Sequence, residues 1–231
     1  MIKAILMDFN GVIVNDEPIQ MKAYQEILKG EGIDLTEEDY YACMGMNDKI
    51  FVENAYKRAN KTADANKVLE ITQAKTNKWR DQIASEVPVF DGVDNFVKKM
   101  VSGDITLGIV SMAKREEIEY VLERIGLREY FTTIVSAEDC ENCKPDPEVF
   151  YKGFTQLDSQ RTANGRNPIV HGECVVIEDS AAGVKGAKKA GMKTLAITNT
   201  VSEKALREAG ADVVTKNLND WMPDSFQLVF D

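Results

Sequence analysis

Asp8-Phe9-Asn10-Gly11-Val12 follows directly on the apolar run Ile2–Met7. A carboxylate on the tip of a buried strand is placed to act as a nucleophile or a metal ligand. Two residues on, where a second acid would handle protons, stands an amide. Asn10 accepts and donates hydrogen bonds but neither delivers nor takes up a proton. The pattern reads as a nucleophile or metal site whose acid–base group is missing.

Other polar residues stand just after apolar runs. Ser111 follows Ile109-Val110, Glu178-Asp179 follow Val175-Val176-Ile177, and Lys144-Pro145-Asp146-Pro147 precedes a helical pattern. Each has a bland reading: Ser111 as a helix cap, Lys144 as a solvated side chain, Asp8 as a turn former. Their joint placement at successive strand ends favours a site, because open parallel sheets bind ligands beyond the carboxyl ends of their strands.

The elements that must carry these residues can be traced in the chain. Short apolar runs at Ala4–Met7, Ile105–Val110, Thr133–Val135, Val175–Ile177, Thr194–Ile197 and Val213–Val214 predict strands. Between them, Lys114–Ile125, Ala181–Ala190 and Ser202–Ala209 predict helices stopped by Gly126, Gly191 and Gly210. Asp146-Pro147 predicts a further helix start with Asp146 as N-cap. This alternation implies an α/β fold, a three-layer Rossmann-like core with a parallel sheet.

From about Asp16 to Ser85 the rhythm changes to helical patterns alone: Glu17–Lys29 ended by Gly30, Glu37–Met44 capped by Thr36, Asp48–Asn60, and Ala65–Ile83. An all-helical cap inserted after the first strand is expected, with residues 1–15 and 86–231 forming the core and 16–85 the cap. Hinges are expected near Asn15-Asp16 and Glu86–Pro88. Tyr40, Tyr41, Met44, Met46 and Trp79 are expected to pack the cap's own small core, a subset facing substrate. Ser159–His171 is polar and reads as a surface loop.

Composition narrows the function classes. In 231 residues, 44% are hydrophobic and 29% charged, ordinary for a globular protein with one sizeable core. The net charge of −10 argues against a nucleic-acid surface, while a divalent cation and one or two lysines can still bind an anionic substrate locally. No apolar run reaches the ~20 residues of a membrane span. The N-terminus reads as strand rather than signal peptide, so a cytoplasmic protein, monomer or weak dimer, is expected. Cys140 and Cys143 have metal or redox spacing, but neither a second pair nor a nearby histidine completes a zinc site. With His171 the only histidine, mechanisms built on a histidine base are disfavoured.

The ordered set Asp8-x-Asn10-Gly11-Val12, Ser111, Lys144-Pro145-Asp146 and Glu178-Asp179-Ser180-Ala181-Ala182-Gly183 resembles the haloacid dehalogenase superfamily. The helical insertion resembles its β-phosphoglucomutase-like group, and the likeness spans essentially the whole chain. The resemblance implies Asp8 as the nucleophile that forms an aspartyl phosphate. It implies Mg²⁺ held by Asp8, by the main-chain carbonyl of Asn10 and by Asp179, with Glu178 as ligand or close support. Ser111, Met112 and Lys144 would hold the transferring phosphoryl group of a small phosphorylated metabolite.

Departures from the family pattern bear on activity. In active relatives position 10 is an aspartate that protonates the leaving oxygen and then activates water; losing such catalysis costs roughly 10²- to 10⁴-fold. Asn10 leaves the main-chain carbonyl in place, so metal and phosphate binding should survive. The chain then serves substrates with good leaving groups, or is a non-catalytic phosphate or metabolite binder, or carries an introduced amide, or gains the missing acid when Asn10, ahead of Gly11, deamidates; all four stay open. Gln20 stands near the position of a mutase histidine and Asp48 near that of a phosphate-binding arginine, which disfavours a mutase. Gln20, Met46 and Lys49 are candidate substrate contacts from the cap. Lys49 also lies near the Schiff-base lysine of phosphonate C–P hydrolases, one residue out of register. True dehalogenases lack the metal site, against which Glu178-Asp179 argue.

Overall fold

The computed structural model describes residues 1–230. In chain order the elements are β1 (Ala4–Met7), α1 (Glu17–Gly30), α2 (Glu37–Tyr41), α3 (Asp48–Arg58), α4 (Ala65–Gln82), α5 (Val93–Ser102), β2 (Thr106–Val110), α6 (Arg115–Arg124), β3 (Phe131–Val135), α7 (Glu148–Ala163), β4 (Cys174–Glu178), α8 (Ala181–Lys189), β5 (Lys193–Ile197), α9 (Glu203–Glu208), β6 (Val213–Thr215) and α10 (Pro223–Phe230). All six strands pair in parallel in the order β3-β2-β1-β4-β5-β6. The strands are apolar almost throughout because both faces of the sheet are covered. On one face Ile5, Met7, Ile109 and Ile177 pack with Phe96, Val97, Ile118 and Phe226. On the other, Leu6, Val110 and Val176 pack with Phe150 and Leu157. β1 lies between β2 and β4, where the strand order reverses, which is where such sheets bind ligands.

Helices α1 to α4 form the expected helical insertion. Side chains of Thr36, Asn47 and Asp64 cap the last three of them by accepting from the amides of Asp39, Ile50 and Lys67, each contributing about 1 kcal/mol. Tyr24, Leu28, Tyr40, Phe51, Val52, Tyr56 and Ile71 form the insertion's own core. The chain enters and leaves it through two adjacent segments: the amide of Asn15 donates to Pro88 O (2.6 Å) and that of Phe90 to Ile13 O (3.0 Å). The two expected hinges therefore sit side by side.

Several expectations need correction. Trp79 does not pack in the insertion's core; it is fully buried in the main core, against Tyr120. Helix α1 runs through Gly30, and the left-handed residue that turns the chain is Gly32 (φ 67°). Asp146 is not the N-cap of α7: Pro147 holds that position, and Asp146 Oδ1 accepts instead from the Glu148 amide at 3.0 Å. Ser159–Ala163 are helical, the last turn of α7, where buried Arg161 bonds Thr106 Oγ1 and Lys3 O. A polar sequence hid that turn because its single core-facing residue is an arginine. Helices α5 and α10 were not anticipated. No helix among the described residues is long and apolar enough to cross a membrane.

Candidate active site

The sheet register brings the first residues together. Met7 is level with Ile109 and Ile177, so Asp8 emerges beside the ends of β2 and β4. The Asp8 amide donates to Ile177 O (3.0 Å) and the Ser111 amide to Val135 O (2.9 Å). These backbone bonds fix where each side chain leaves the sheet. Asp8, Glu178 and Asp179, all buried, each bring an oxygen within 4.8 Å of the others. Gly11 is required beside them. Its φ is +74°, and a Cβ there would overlap the Asp179 carboxylate.

Lys144, 4% exposed, neutralises part of this charge. Its Nζ donates to Glu178 Oε1 (2.6 Å) and Val110 O (3.2 Å) and pairs with Asp8 Oδ2 (2.8 Å). Burial alone would lower its pKa, but Asp8 and Glu178 outweigh burial and hold it above the ordinary lysine value. Glu178 is raised, by burial first and by Asp8, against the pull of Lys144. Asp179 is raised well above the ordinary range, by burial, then by Glu178 and Asp8. The Thr200 hydroxyl donates to Asp179, and the Ser180 hydroxyl to Glu178 Oε2 at 3.0 Å. Three buried carboxylates against one lysine leave an excess of negative charge. An all-oxygen donor set of this kind suits a hard divalent cation.

Asn10 is oriented rather than free. Its Nδ2 donates one hydrogen to Asp16 Oδ1 at 2.9 Å, which leaves its carbonyl oxygen and one N–H for other partners. Asp16 is fully buried and also accepts from Gln20 Nε2 (3.1 Å) and Trp79 Nε1 (2.7 Å). Burial raises its pKa; the three donors and Lys75 oppose that rise.

A cavity opens between the strand tips and the helical insertion, lined by Asp8, Asn10, Gln20, Met46, Ser111, Met112, Lys144 and Asp179 among others. Ser111 is buried, and its Oγ accepts from the Ala113 amide at 3.2 Å. The loop that carries Met46 reaches the core: the Asn47 amide donates to Cys143 Sγ at 3.3 Å. Cys43, Cys140, Cys143 and Cys174 are all free thiols. Lys49 is not brought to the cavity. Its side chain is exposed on α3, because the helix turns it away while Asp48, one residue earlier, faces inward.

Other cavity residues had not been singled out. Glu17 lines it and accepts from the Tyr40 hydroxyl at 2.6 Å. Lys75 of α4, 1% exposed, pairs with Asp48 Oδ2 and Glu117 Oε1, both at 2.8 Å. Tyr24 donates to Asp48 Oδ1 at 2.7 Å and Thr76 to Glu117 Oε1 at 2.7 Å. Asp48, where the sequence comparison expected an arginine, is thus held by a lysine from another helix. The acidic pair Asp16-Glu17 before Pro18 was the one local signal; Lys75 and Glu117 carry none, being polar residues inside helical patterns.

A family model described as haloacid dehalogenase-like hydrolase matches residues 5–197. The chain is 27% identical over 221 residues to a phosphorylated carbohydrates phosphatase of Thermotoga maritima, covering 93% of this chain and 94% of that one. It is 28% identical over 225 residues to the protein Suppressor of quenching 1, chloroplastic, of Arabidopsis thaliana, covering 95% of this chain but only 20% of that protein's length. Its fold matches that of a β-phosphoglucomutase from Clostridium difficile with a TM-score of 0.85 at 22% identity, over 100% of this chain and 97% of that one.

Proposed function

Because the chain belongs to the haloacid dehalogenase-like hydrolase family, we propose that it is a Mg²⁺-dependent phosphatase acting on a small phosphorylated metabolite through an aspartyl phosphate on Asp8. The observation that carries this reading is the meeting of Asp8, Glu178 and Asp179 within 4.8 Å, with Lys144 between two of them, at the switch point of the sheet. The names of the Thermotoga maritima relative and of a pyrophosphatase from Bacillus cereus, 24% identical over 225 residues, support phosphorylated substrates.

Asp8, Glu178, Asp179 and the main-chain carbonyl of Asn10 would hold the Mg²⁺. When bound, the ion supplies positive charge beside the phosphoryl oxygens. The Asp8 carboxylate attacks phosphorus and the substrate oxygen leaves with the P–O bonding pair. Lys144, the Ser111 hydroxyl and Met112, which line the cavity, would hold the three phosphoryl oxygens and stabilise their charge. Water then cleaves the aspartyl phosphate. The insertion, residues 16–85, acts as the cap, excluding bulk water and swinging on the paired segments at Ile13–Asn15 and Pro88–Phe90. Gln20 and Met46 are the cap contacts we assign to substrate. Lys75 is already engaged by Asp48 and Glu117, so the cap offers no free cation there for a second phosphate, which favours a hydrolase over a mutase. We place the protein in a reducing, cytoplasmic compartment, consistent with its free cysteines.

The test is Mg²⁺-dependent phosphate release from a panel of sugar, acyl and aryl phosphates, by the native chain and by Asn10→Asp. Turnover that is lost with EDTA and in Asp8→Asn supports the reading. The amide lock between Asn10 and Asp16 favours one alternative, a phosphate or metabolite binder without turnover. Absence of release by both chains, with a phosphate-dependent rise in melting temperature, would assign that role instead.

A further inference from the structure

With Asn10 unable to carry a proton, turnover of a substrate with a poor leaving group needs another group to serve the leaving oxygen and the attacking water. The cavity holds five carboxyl side chains: Asp8, Glu17, Asp48, Glu117 and Asp179. Asp8 and Asp179 belong to the proposed nucleophile and metal set. Asp48 and Glu117 are each clamped by Lys75 and by a hydroxyl, from Tyr24 and Thr76 respectively. Glu17 differs from all of these. Among the described residues its one hydrogen bond is from the Tyr40 hydroxyl to Oε2, and no lysine or arginine forms an ion pair with it.

We infer that Glu17 is the general acid–base of this protein, taking over the proton transfers that Asn10 cannot perform; this rests on the phosphatase reading above. In the first half-reaction Asp8 Oδ attacks phosphorus, the P–O ester bond breaks, and the protonated Glu17 gives its proton to the departing alkoxide, yielding an alcohol. In the second, the Glu17 carboxylate takes a proton from water as the water oxygen attacks the aspartyl phosphate. Inorganic phosphate leaves, Asp8 is restored and Glu17 is again protonated. Protons and electron pairs balance over the cycle without another reactant.

The surroundings suit both roles. In the metal-free protein, burial, then the neighbouring charge of Asp16, pushes the Glu17 carboxyl up to about 7; an acid–base group raised towards neutrality works in both directions. Asp8 pushes the same way, while the Tyr40 hydroxyl and Lys75 oppose it; Asp179 and Tyr41 also feel its charge. Asp16 fixes the Asn10 amide by accepting one of its two Nδ2 hydrogens, so Asn10 can orient water or substrate through its carbonyl oxygen or its second N–H but cannot transfer a proton.

The experiment compares Glu17→Gln in the native chain and in Asn10→Asp, each with Mg²⁺, on glycerol phosphate and on p-nitrophenyl phosphate. The first has a poor leaving group that needs a proton; the second has a good one. In the native chain, Glu17→Gln should lower kcat/KM for glycerol phosphate by roughly 10²- to 10⁴-fold, and for p-nitrophenyl phosphate far less. In the Asn10→Asp background, where residue 10 can again carry the proton, the same change should cost under about tenfold. Equal losses on both substrates, or equal losses in both backgrounds, would make Glu17 a binding or packing residue and overturn the inference. Turnover of neither substrate by either folded parent would instead overturn the phosphatase reading on which it stands.

Discussion

At the floor of the cavity, Asp8, Ser111 and Glu178 stand at or just past the ends of strands whose backbone bonds fix them. In its roof, Glu17, Tyr24, Asp48 and Lys75 come from three helices that meet only when the insertion folds. Both regions bury a lysine between two carboxylates: Lys144 between Asp8 and Glu178, Lys75 between Asp48 and Glu117. The arrangement is alike and the consequence differs. Lys144 sits beside a third carboxylate, Asp179, so the floor keeps an excess of negative charge that suits a cation. Beside Lys75, Lys114 lies 3.8 Å from Asp48 and donates to Thr76 Oγ1 at 2.9 Å, so two lysines match the two carboxylates of that cluster. A buried lysine between two acids therefore does not by itself mark chemistry. What surrounds the triplet decides.

The largest effect is expected at the floor. Asp8→Asn removes the attacking carboxylate with little change of shape, and turnover of p-nitrophenyl phosphate should fall at least roughly 10⁴-fold while thermal unfolding stays cooperative. In the roof, Tyr24→Phe removes one hydrogen bond to Asp48, worth about 1 kcal/mol, and should cost less than roughly tenfold in the same assay. A roof change as damaging as Asp8→Asn would erase the distinction between the two regions.

The two lysines give a closer comparison. Lys144→Met strands the buried Asp8 and Glu178, and Lys75→Met the buried Glu117 and half-buried Asp48; each should cost about 3–5 kcal/mol in urea denaturation at neutral pH. Only Lys144→Met should also abolish formation of a phosphoenzyme from acetyl phosphate, read by intact mass. Adding Glu117→Gln should recover part of the Lys75→Met loss, since one stranded charge is removed. Failure of Lys75→Met to form the phosphoenzyme, in protein that remains folded, would place chemistry in the roof as well.

Asn10→Asp probes the seam between floor and roof. It replaces the half-buried amide that donates to Asp16 with a second carboxyl group, and two carboxyl groups at that distance favour sharing a proton. Stability of the metal-free protein should fall by about 1–3 kcal/mol at neutral pH and recover when Asp16→Ser is added. Unchanged stability would mean that the Asn10–Asp16 bond is not formed in solution.

The floor was legible in the sequence because period and position there are strictly local. A buried parallel strand is an unbroken apolar run, and the residue that ends the run is the residue at the sheet edge. Asp8, Ser111, Glu178 and Asp179 could be read that way, and Lys144 by its place before a helix. The roof offered no such rule. Lys75 and Glu117 lie 42 residues apart in sequence, and on their helices each looks like any solvated charge. Which helical face turns inward depends on packing between α1, α3, α4 and α6. For the same reason Lys49 was assigned to the cavity when its neighbour Asp48 occupies it, one helical step of about 100° away. Trp79 was misplaced because helical periodicity shows that a face is buried, not against what.

Glu17 supplies the most discriminating effect, because its carboxyl is raised by burial and by Asp16 within the roof and, more weakly, by Asp8 of the floor. In the metal-free protein its carboxyl is raised from the ordinary 4.5 to about 7, so the folded state holds that proton more tightly than the unfolded chain. Between those two values the folded protein carries more protons than the unfolded one, and stability falls as pH rises. Below pH 4.5 both states are protonated and the cost vanishes; above about pH 7 it is fully present. Glu17→Gln removes the titrating group. The variant should match the native chain in stability at the acid end and exceed it above neutrality, by at most about 3 kcal/mol at 1.36 kcal/mol per pKa unit. Denaturation curves across that range read the difference directly. A gap independent of pH would mean that Glu17 ionises in the fold as it does in water, leaving it a roof residue without a share in the floor's charge.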